Sequence, residues 1–413
     1  MASGVRHARK LVYRFDEGDA SMSGLLGGKG SNLCEMVRLG LPVPPGFVIT
    51  SEACLDYFAL GQRSPAGLAE SIRDNLHLLE KAVGRSFGSP ASPLLVSVRS
   101  GAKVSMPGMM DTILNLGIND DIAEGLGSLI GDSRPAYDAY RRFLQVYAGV
   151  VMGVEARTFE EILSRLKQQA GVALDYQLTS KQLRSVTADF KAAIRQATGN
   201  EVPSDPWEQL VAAVEAVFQS WNNPRAIFYR DHHHISHDLG TAVTIMAMVF
   251  GNLGPTSGTG VLFTRNPSTG ERKVYGEFLS NAQGEDVVGG GRTPEPISKL
   301  AELLPQASEQ LLDLAGRLEA HYRDVQDIEF TIENSRLYIL QTRNAKRTPQ
   351  AAVRALVEMV KEGAISKEDA LRRLDPEDVV QLLVPQFMVD VESNLVRAAF
   401  LARGAGASPG AAT

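Results

Sequence analysis

The stretch DIEFTIENSRLYILQTR, residues 327–343, decides most of the fold reading. In its first half Asp327, Glu329 and Thr331 alternate with Ile328, Phe330 and Ile332, so one face is carboxylate-rich and the other apolar. In its second half Leu337, Ile339, Gln341 and Arg343 fall on one face of a second strand. A short polar turn separates the two, and the pair reads as a hairpin. Turn length sets the register. A two-residue turn at Asn334 and Ser335 pairs Glu329 with Leu340 and points Gln341 the other way. A three-residue turn over 334–336 pairs Glu329 with Gln341 and Asp327 with Arg343. The second register gathers oxygen ligands and an arginine on one surface, as Mg²⁺ on nucleotide phosphates requires. The plainer alternative is the charged outer face of an edge hairpin.

Working outward, strand-like sequence also occurs at 11–15, 47–50, 94–100, 226–230, 242–250, 260–264 and 273–278. Asn266-Pro267-Ser268-Thr269-Gly270 is a turn signature between two of these. Helical patterns cover 51–61, 66–85, 206–221, a segment near 294–321 and the tail from 350, where Ser366 and Asp369 form a capping-box pattern. A glycine-rich turn at 24–30 precedes a helix at 31–39, which Gly40, Pro42, Pro44 and Pro45 end. From 120 to 198 the pattern is almost wholly helical, with strand-rich sequence on both sides, so it reads as an insert. The expected fold class is α+β.

Composition narrows the function classes. The 413 residues, with 44% hydrophobic and 22% charged, suit a globular chain of two or three domains. A formal charge of -6 gives no global basic field for nucleic acid. No apolar run reaches the roughly 18 residues of a membrane span. Arg6, Arg9 and Lys10 have no long apolar core behind them, so the start is not read as a secretory signal. Cys34 and Cys54 are the only cysteines, too few for a disulfide scaffold, and read as small buried hydrophobes in a reducing compartment.

Four further features carry possible chemistry. Gly27-Gly28-Lys29-Gly30 fails the phosphate-loop template, because Ser23 stands where a glycine is needed and Gly30 where Ser or Thr is needed. It still offers backbone N–H groups and a lysine to an anion; the alternative is an ordinary glycine turn with a solvated lysine. Arg99 ends a strand facing a Gly/Met loop, 101–111, where a planar guanidinium grips a phosphate or forms a surface ion pair. Met106, Met109 and Met110 in that loop fill core or close over a ligand. His232, His233, His234 and His237 read as a solvated loop, since three adjacent histidines cannot converge on one ion.

At these residues the chain resembles the N-terminal, nucleotide-binding part of the pyruvate, phosphate dikinase family. The resemblance runs through LLGGKGSNLCEM, GLPVPPGFVIT, LLVSVRSGAKVSMPGMMDTILNLG, LGTAVTIMAMVFGN, SGTGVLFTRNPSTGE, GEFLSNAQGEDVV and QDIEFTIENSRLYILQTRNAKRT, spread over residues 24–348. It implies an ATP-grasp-like fold whose two lobes clamp ATP. Lys29 and Arg99 would contact phosphates, and Glu329 and Gln341 would hold Mg²⁺–ATP, with Asp327 beside them. Arg343 would sit on the terminal phosphates, Glu285 in the same cleft, and the loop from Gly101 to 112 over the nucleotide. The implied domains are a front lobe (1–112 and 200–241), a helical insert (113–199), a rear lobe (242–348), a helical linker (349–400) and the start of a phosphohistidine domain (401–413).

In that family ATP pyrophosphorylates a histidine of a swivelling domain, in a motif like GGxTSHAA, and AMP leaves. Phosphate then takes one phosphoryl group, and the phosphohistidine phosphorylates pyruvate in a barrel domain. None of the seven histidines here lies in that motif, and ARGAGASPGAAT resembles only the swivelling domain's opening. The expectation is therefore a partial dikinase, cytoplasmic with an organelle left open, and dimeric in the complete enzyme. The alternatives are a non-catalytic nucleotide-binding or regulatory module, and a fragment of the related phosphoenolpyruvate synthases, which carry a different loop where this chain has MPGMMDT.

Overall fold

Two antiparallel five-stranded sheets organise the chain in the computed structural model, which describes residues 9–288 and 292–383. The front sheet runs, edge to edge, Val12–Arg14, Gly46–Ile49, Ala242–Ala247, Val96–Gly101 and Thr112–Leu116. The rear sheet runs Glu295–Pro296, Tyr275–Ser280, Gly258–Phe263, Gln326–Glu333 and Arg336–Asn344. With helices on both sheets, the class is α+β.

The front sheet buries both faces, which explains the continuous apolar run in its central strand. On one face Phe47, Ile49, Val98 and Ile245 join a core shared with the flanking helices and the insert. On the other, Val48, Ala242 and Met246 join a core that includes Ile328, Phe330, Ile332, Leu337 and Ile339 of the rear hairpin. The helix Ser23–Arg38 belongs to that second core through Leu26, Leu33 and Met36. It lies close to the front sheet because Gly30 has no side chain: a Cβ there would sit 2.9 Å from Val48 Cγ2. It also reaches the rear hairpin, where Asn32 Nδ2 donates to Thr342 O at 3.1 Å.

The glycine-rich turn expected at 24–30 is not a turn. The helix starts at Ser23 and is broken once, at Gly27, with φ 68° and ψ 167°. The cause is a close approach from another element. A Cβ on Gly27 would lie 1.7 Å from the Gly101 carbonyl oxygen, and Gly28 N–H donates to Ala102 O at 2.9 Å. The glycines therefore let this helix dock on the start of the 101–112 loop.

Several expected boundaries move. The strand expected at 226–230 is a helix, Pro224–His232. Proline takes its first turn, and Ala226 and Arg230, one helical turn apart, are both buried. Residues 112–116, read partly as loop and partly as insert, form the edge strand Thr112–Leu116 of the front sheet. Ala242–Ala247, assigned to the rear lobe from sequence, is the central strand of the front sheet. The segment expected to be an insert holds the helices Asp120–Ile130, Ser133–Val151, Ala156–Ala170 and Ser180–Thr198. The helix expected near 294–321 starts later: Glu295–Pro296 is an edge strand, one helical turn follows at Leu300–Leu303, and after a break at Leu304 (φ -139°, ψ 71°) the long helix is Pro305–Tyr322. Of the linker, Pro349–Lys361, Lys367–Arg373 and Pro376–Leu383 are helical, and Ser366 Oγ accepts from Asp369 N–H at 3.0 Å. Positions 384–400 and the expected start of a further domain at 401–413 lie outside the described residues.

Gly27→Ala combines a left-handed backbone with a side chain driven into a carbonyl. We expect a loss of about 3 kcal/mol or more in urea unfolding. Wild-type stability in that variant would contradict the docking role given to Gly27.

Candidate functional site

The rear hairpin brings Glu329 opposite Gln341 and Asp327 opposite Arg343, the register that gathers the polar groups. It does so by an unexpected route. The turn has two residues, with Asn334 (φ 48°) and Ser335 (φ 67°) both left-handed. The additional residue is a bulge at Leu340, between the pairs Phe330–Ile339 and Glu329–Gln341. The bulge also overturns the expectation that Leu337, Ile339, Gln341 and Arg343 share a face. Cross-strand partners point the same way, so Ile339 follows Phe330 into the apolar core, whereas Gln341 and Arg343 follow Glu329 and Asp327 to the polar face.

The front sheet meets that polar face through Arg99. It stands beside Thr244 and Thr112 in the front sheet, and its guanidinium crosses to the hairpin. Arg99 Nη1 donates to the carbonyl of the bulged Leu340 at 3.4 Å. Nη2 donates to Glu329 Oε2 at 3.4 Å and Gln341 Oε1 at 3.3 Å. Arg343 Nε donates to Asp327 Oδ2 at 2.7 Å, and its Nη2 lies 3.8 Å from Glu329 Oε1. Lys29 Nζ donates to Ser100 O at 3.0 Å. Gly101 lies beside the lysine stem: a Cβ at 101 would touch Lys29 Cβ at 3.4 Å. Lys29, Arg99, Gly101, Asp327, Glu329, Gln341 and Arg343 thus come together.

The electrostatics of this cluster favour a polyanion. Among the described residues, Lys29, Arg99 and Arg343 face Asp327 and Glu329 as counter-charges. Part of Lys29 reaches the surface, but its ammonium is enclosed by protein. Burial, then Arg99 and Arg343, hold the lysine pKa well below its ordinary range, against the pull of Glu329. Burial lowers the Arg343 pKa, but Asp327, their hydrogen bond and Glu329 outweigh it and leave it raised. Burial raises the Asp327 carboxyl despite Arg343, and its Oδ1 is buried without a hydrogen bond. Asp327, Glu329 and Gln341 place oxygen donors, the type a hard divalent cation takes, on one face of the hairpin.

Glu285 stands apart from those bonds. It lies in the helix Gly284–Val288 and pairs with Arg142 of the insert at 3.1 Å. Arg142 also holds Asp286 at 2.8 Å and Asp138 at 3.3 Å. Burial would raise the Asp138 carboxyl, but Arg142, Arg141 and Arg134 hold it down to about 2. The sequence reading missed this clasp between insert and rear sheet. Tyr140-Arg141-Arg142 reads as an ordinary helix segment, and its partners come from remote sequence.

The other candidates resolve separately. Met106 is buried in the front core, while Met109 and Met110 pack against its edge. The end of the 101–112 loop is tied down by Asp111, which accepts from Asn223 Nδ2 at 3.2 Å and pairs with Arg225. His232, His233 and His234 are exposed at a helix end, and His237 Nε2 contacts Asp231 Oδ1 at 2.8 Å. Cys34 and Cys54 are buried, and burial pushes both thiols up to about 12.

Comparison with known proteins follows the same residues. The family model for the pyruvate phosphate dikinase AMP/ATP-binding domain matches residues 23–64, 59–302 and 297–364. The pyruvate, phosphate dikinase of Clostridium symbiosum is 53% identical over 379 residues, covering 92% of this chain and 43% of the relative. That of Rhizobium meliloti (strain 1021) is 50% identical over 420 residues, covering 98% of this chain and 46% of the relative. The chloroplastic enzyme of Mesembryanthemum crystallinum is 50% identical over 409 residues, covering 98% and 43%. The chain belongs to the pyruvate, phosphate dikinase family, carries its AMP/ATP-binding domain, and spans less than half the length of these relatives.

The lowered lysine pKa couples the stability of the fold to pH. Unfolded Lys29 titrates near its ordinary 10.5 and folded Lys29 well below it. Its charge therefore destabilises the fold fully below the folded pKa, and this cost disappears as pH rises to 10.5. Lys29→Met should melt higher than wild type at neutral pH without nucleotide, with the advantage shrinking toward alkaline pH. A variant that melts lower at neutral pH would contradict an under-solvated ammonium.

Proposed function

We propose that this chain is the Mg²⁺–ATP-binding part of a pyruvate, phosphate dikinase, with an ATP-grasp-like arrangement in which the two sheets clamp the triphosphate. The observation that carries the reading is the convergence of Arg99, from the front sheet, on Glu329 and Gln341 of the rear hairpin. Two lobes supply opposite sides of one polar cluster, and that cluster has more cationic heads than carboxylates.

Each residue then has a physical task. Arg99 and Arg343 present planar N–H forks to phosphate oxygens and exchange their present carboxylate and amide partners for the triphosphate. Lys29 adds a point charge from the helix that docks on Gly101. Glu329 and Gln341 would hold Mg²⁺, with Asp327 beside them, and the bound ion would neutralise charge on the phosphate oxygens. Arg343 lies at the open side of the hairpin, about two-fifths exposed, suited to the terminal phosphates. Fixed cationic groups of this kind stabilise the charge redistribution of phosphoryl transfer and hold the reacting groups in line.

In the complete enzyme, ATP would pyrophosphorylate a histidine of a swivelling domain and release AMP. Phosphate would take one phosphoryl group to give diphosphate, and the remaining phosphohistidine would phosphorylate pyruvate. That domain, the pyruvate barrel and a second subunit are the proposed partners, and the cytoplasm or an organelle the proposed location.

The test is Mg²⁺–ATP binding followed by calorimetry, together with AMP release when a separately produced histidine domain is supplied. Wild type should bind Mg²⁺–ATP and release AMP. Glu329→Gln should weaken binding at least about tenfold, and Arg343→Ala should abolish transfer. A chain that binds no Mg²⁺–ATP, or an Arg343→Ala variant that transfers normally, would overturn the proposal.

A further inference from the structure

Thr244 lies in the centre of the front sheet, and its cross-strand neighbours are Val48 and Arg99. Paired residues share a face, so its side chain points with theirs toward the helix Ser23–Arg38 and the rear hairpin. Thr244 is 0% exposed, and its hydroxyl has no hydrogen-bond partner. A strand threonine at such a position is an anomaly, because valine has the same shape and leaves no polar group unpaired.

The surroundings indicate what completes it. Gly101, the next rung on the same face, leaves an opening between two elements. A Cβ there would touch Lys29 Cβ at 3.4 Å on one side and Thr244 Oγ1 at 3.9 Å on the other. The lysine stem and the threonine hydroxyl therefore border one gap. An ammonium has three donors, and among the described residues that of Lys29 makes one hydrogen bond, to Ser100 O. An unpaired hydroxyl thus shares a gap with the stem of a lysine whose ammonium has donors to spare.

We propose that Thr244 is a positioning residue of the nucleotide site, whose hydroxyl accepts a hydrogen bond from the Lys29 ammonium once a triphosphate draws that ammonium away from Ser100. The inference rests on the nucleotide-binding reading above and adds a residue to it. The hydroxyl keeps Lys29 charged and aimed while its backbone acceptor is released. The other charged groups acting on Lys29 are Arg99 and Arg343, which disfavour its charge, and Glu329, which favours it. Removing the Thr244 oxygen takes away one of the few groups that favour the charged form.

The experiment measures Mg²⁺–ATP affinity from neutral to alkaline pH for wild type, Thr244→Val and Thr244→Ser, with melting temperatures taken without nucleotide. Thr244→Val should melt at or above the wild-type temperature, bind ATP about tenfold more weakly, and lose affinity at a lower pH than wild type. Thr244→Ser should restore both affinity and pH profile. A Thr244→Val variant with wild-type affinity and pH profile overturns the proposal. So does a loss of affinity that only tracks a fall in melting temperature, which marks a packing role. If wild type itself binds no Mg²⁺–ATP, both readings fall; if wild type binds and the Thr244 variants match it, only this one does.

Discussion

The Arg99 guanidinium is the interaction on which the site depends. It leaves the front sheet and ends on three oxygens of the rear hairpin: Glu329 Oε2, Gln341 Oε1 and Leu340 O. No other position in the front strand Val96–Gly101 combines an inward-facing side chain with that reach, because Ser97 is short and Gly101 has no side chain. These contacts are long for hydrogen bonds, so their value lies in arrangement more than in strength. They hold a cation against donors that a triphosphate and its cation could take over.

That arrangement requires two backbone departures from regularity. The bulge at Leu340 turns Gln341 and Arg343 from the apolar to the polar face and aims a carbonyl at Arg99. The break at Gly27 lets the helix carrying Lys29 approach the end of the strand carrying Arg99. Both raise the local cost of the fold, and both lie beside the cluster, where such irregularities commonly support function. Lys29 and Thr244 are further instances of local cost at the same place, one as an under-solvated cation and the other as an unpaired hydroxyl.

Much of this was legible in the residues. The alternation in DIEFTI settled which face carries the carboxylates, and strict alternation leaves no freedom in that assignment. The pairing of Glu329 with Gln341 was one of two registers left open, and the three-residue turn tied to it is not the one that forms. Nothing in LYILQTR marks Leu340 as the additional residue, since a bulge is set by the partner strand and by what its carbonyl meets. The helix at Pro224–His232 was hidden by an apolar segment short enough to pass for a strand. Its deciding contact is Arg230, buried against Trp221 with its guanidinium carbon 4.0 Å from the ring centroid. The glycines at 27 and 28 looked like an anion cradle because the carbonyls they approach come from remote sequence. Glu285 was placed in the cluster by resemblance, yet its ion pair runs to Arg142 of the insert.

The most direct test is a crystal structure of the chain with Mg²⁺ and a non-hydrolysable ATP analogue. The β- and γ-phosphates should lie between Lys29 and Arg99 on one side and Glu329, Gln341 and Arg343 on the other, with Arg99 released from at least one of its hairpin oxygens. A nucleotide bound elsewhere, with the contacts of Arg99 to Glu329 and Gln341 intact, would contradict it.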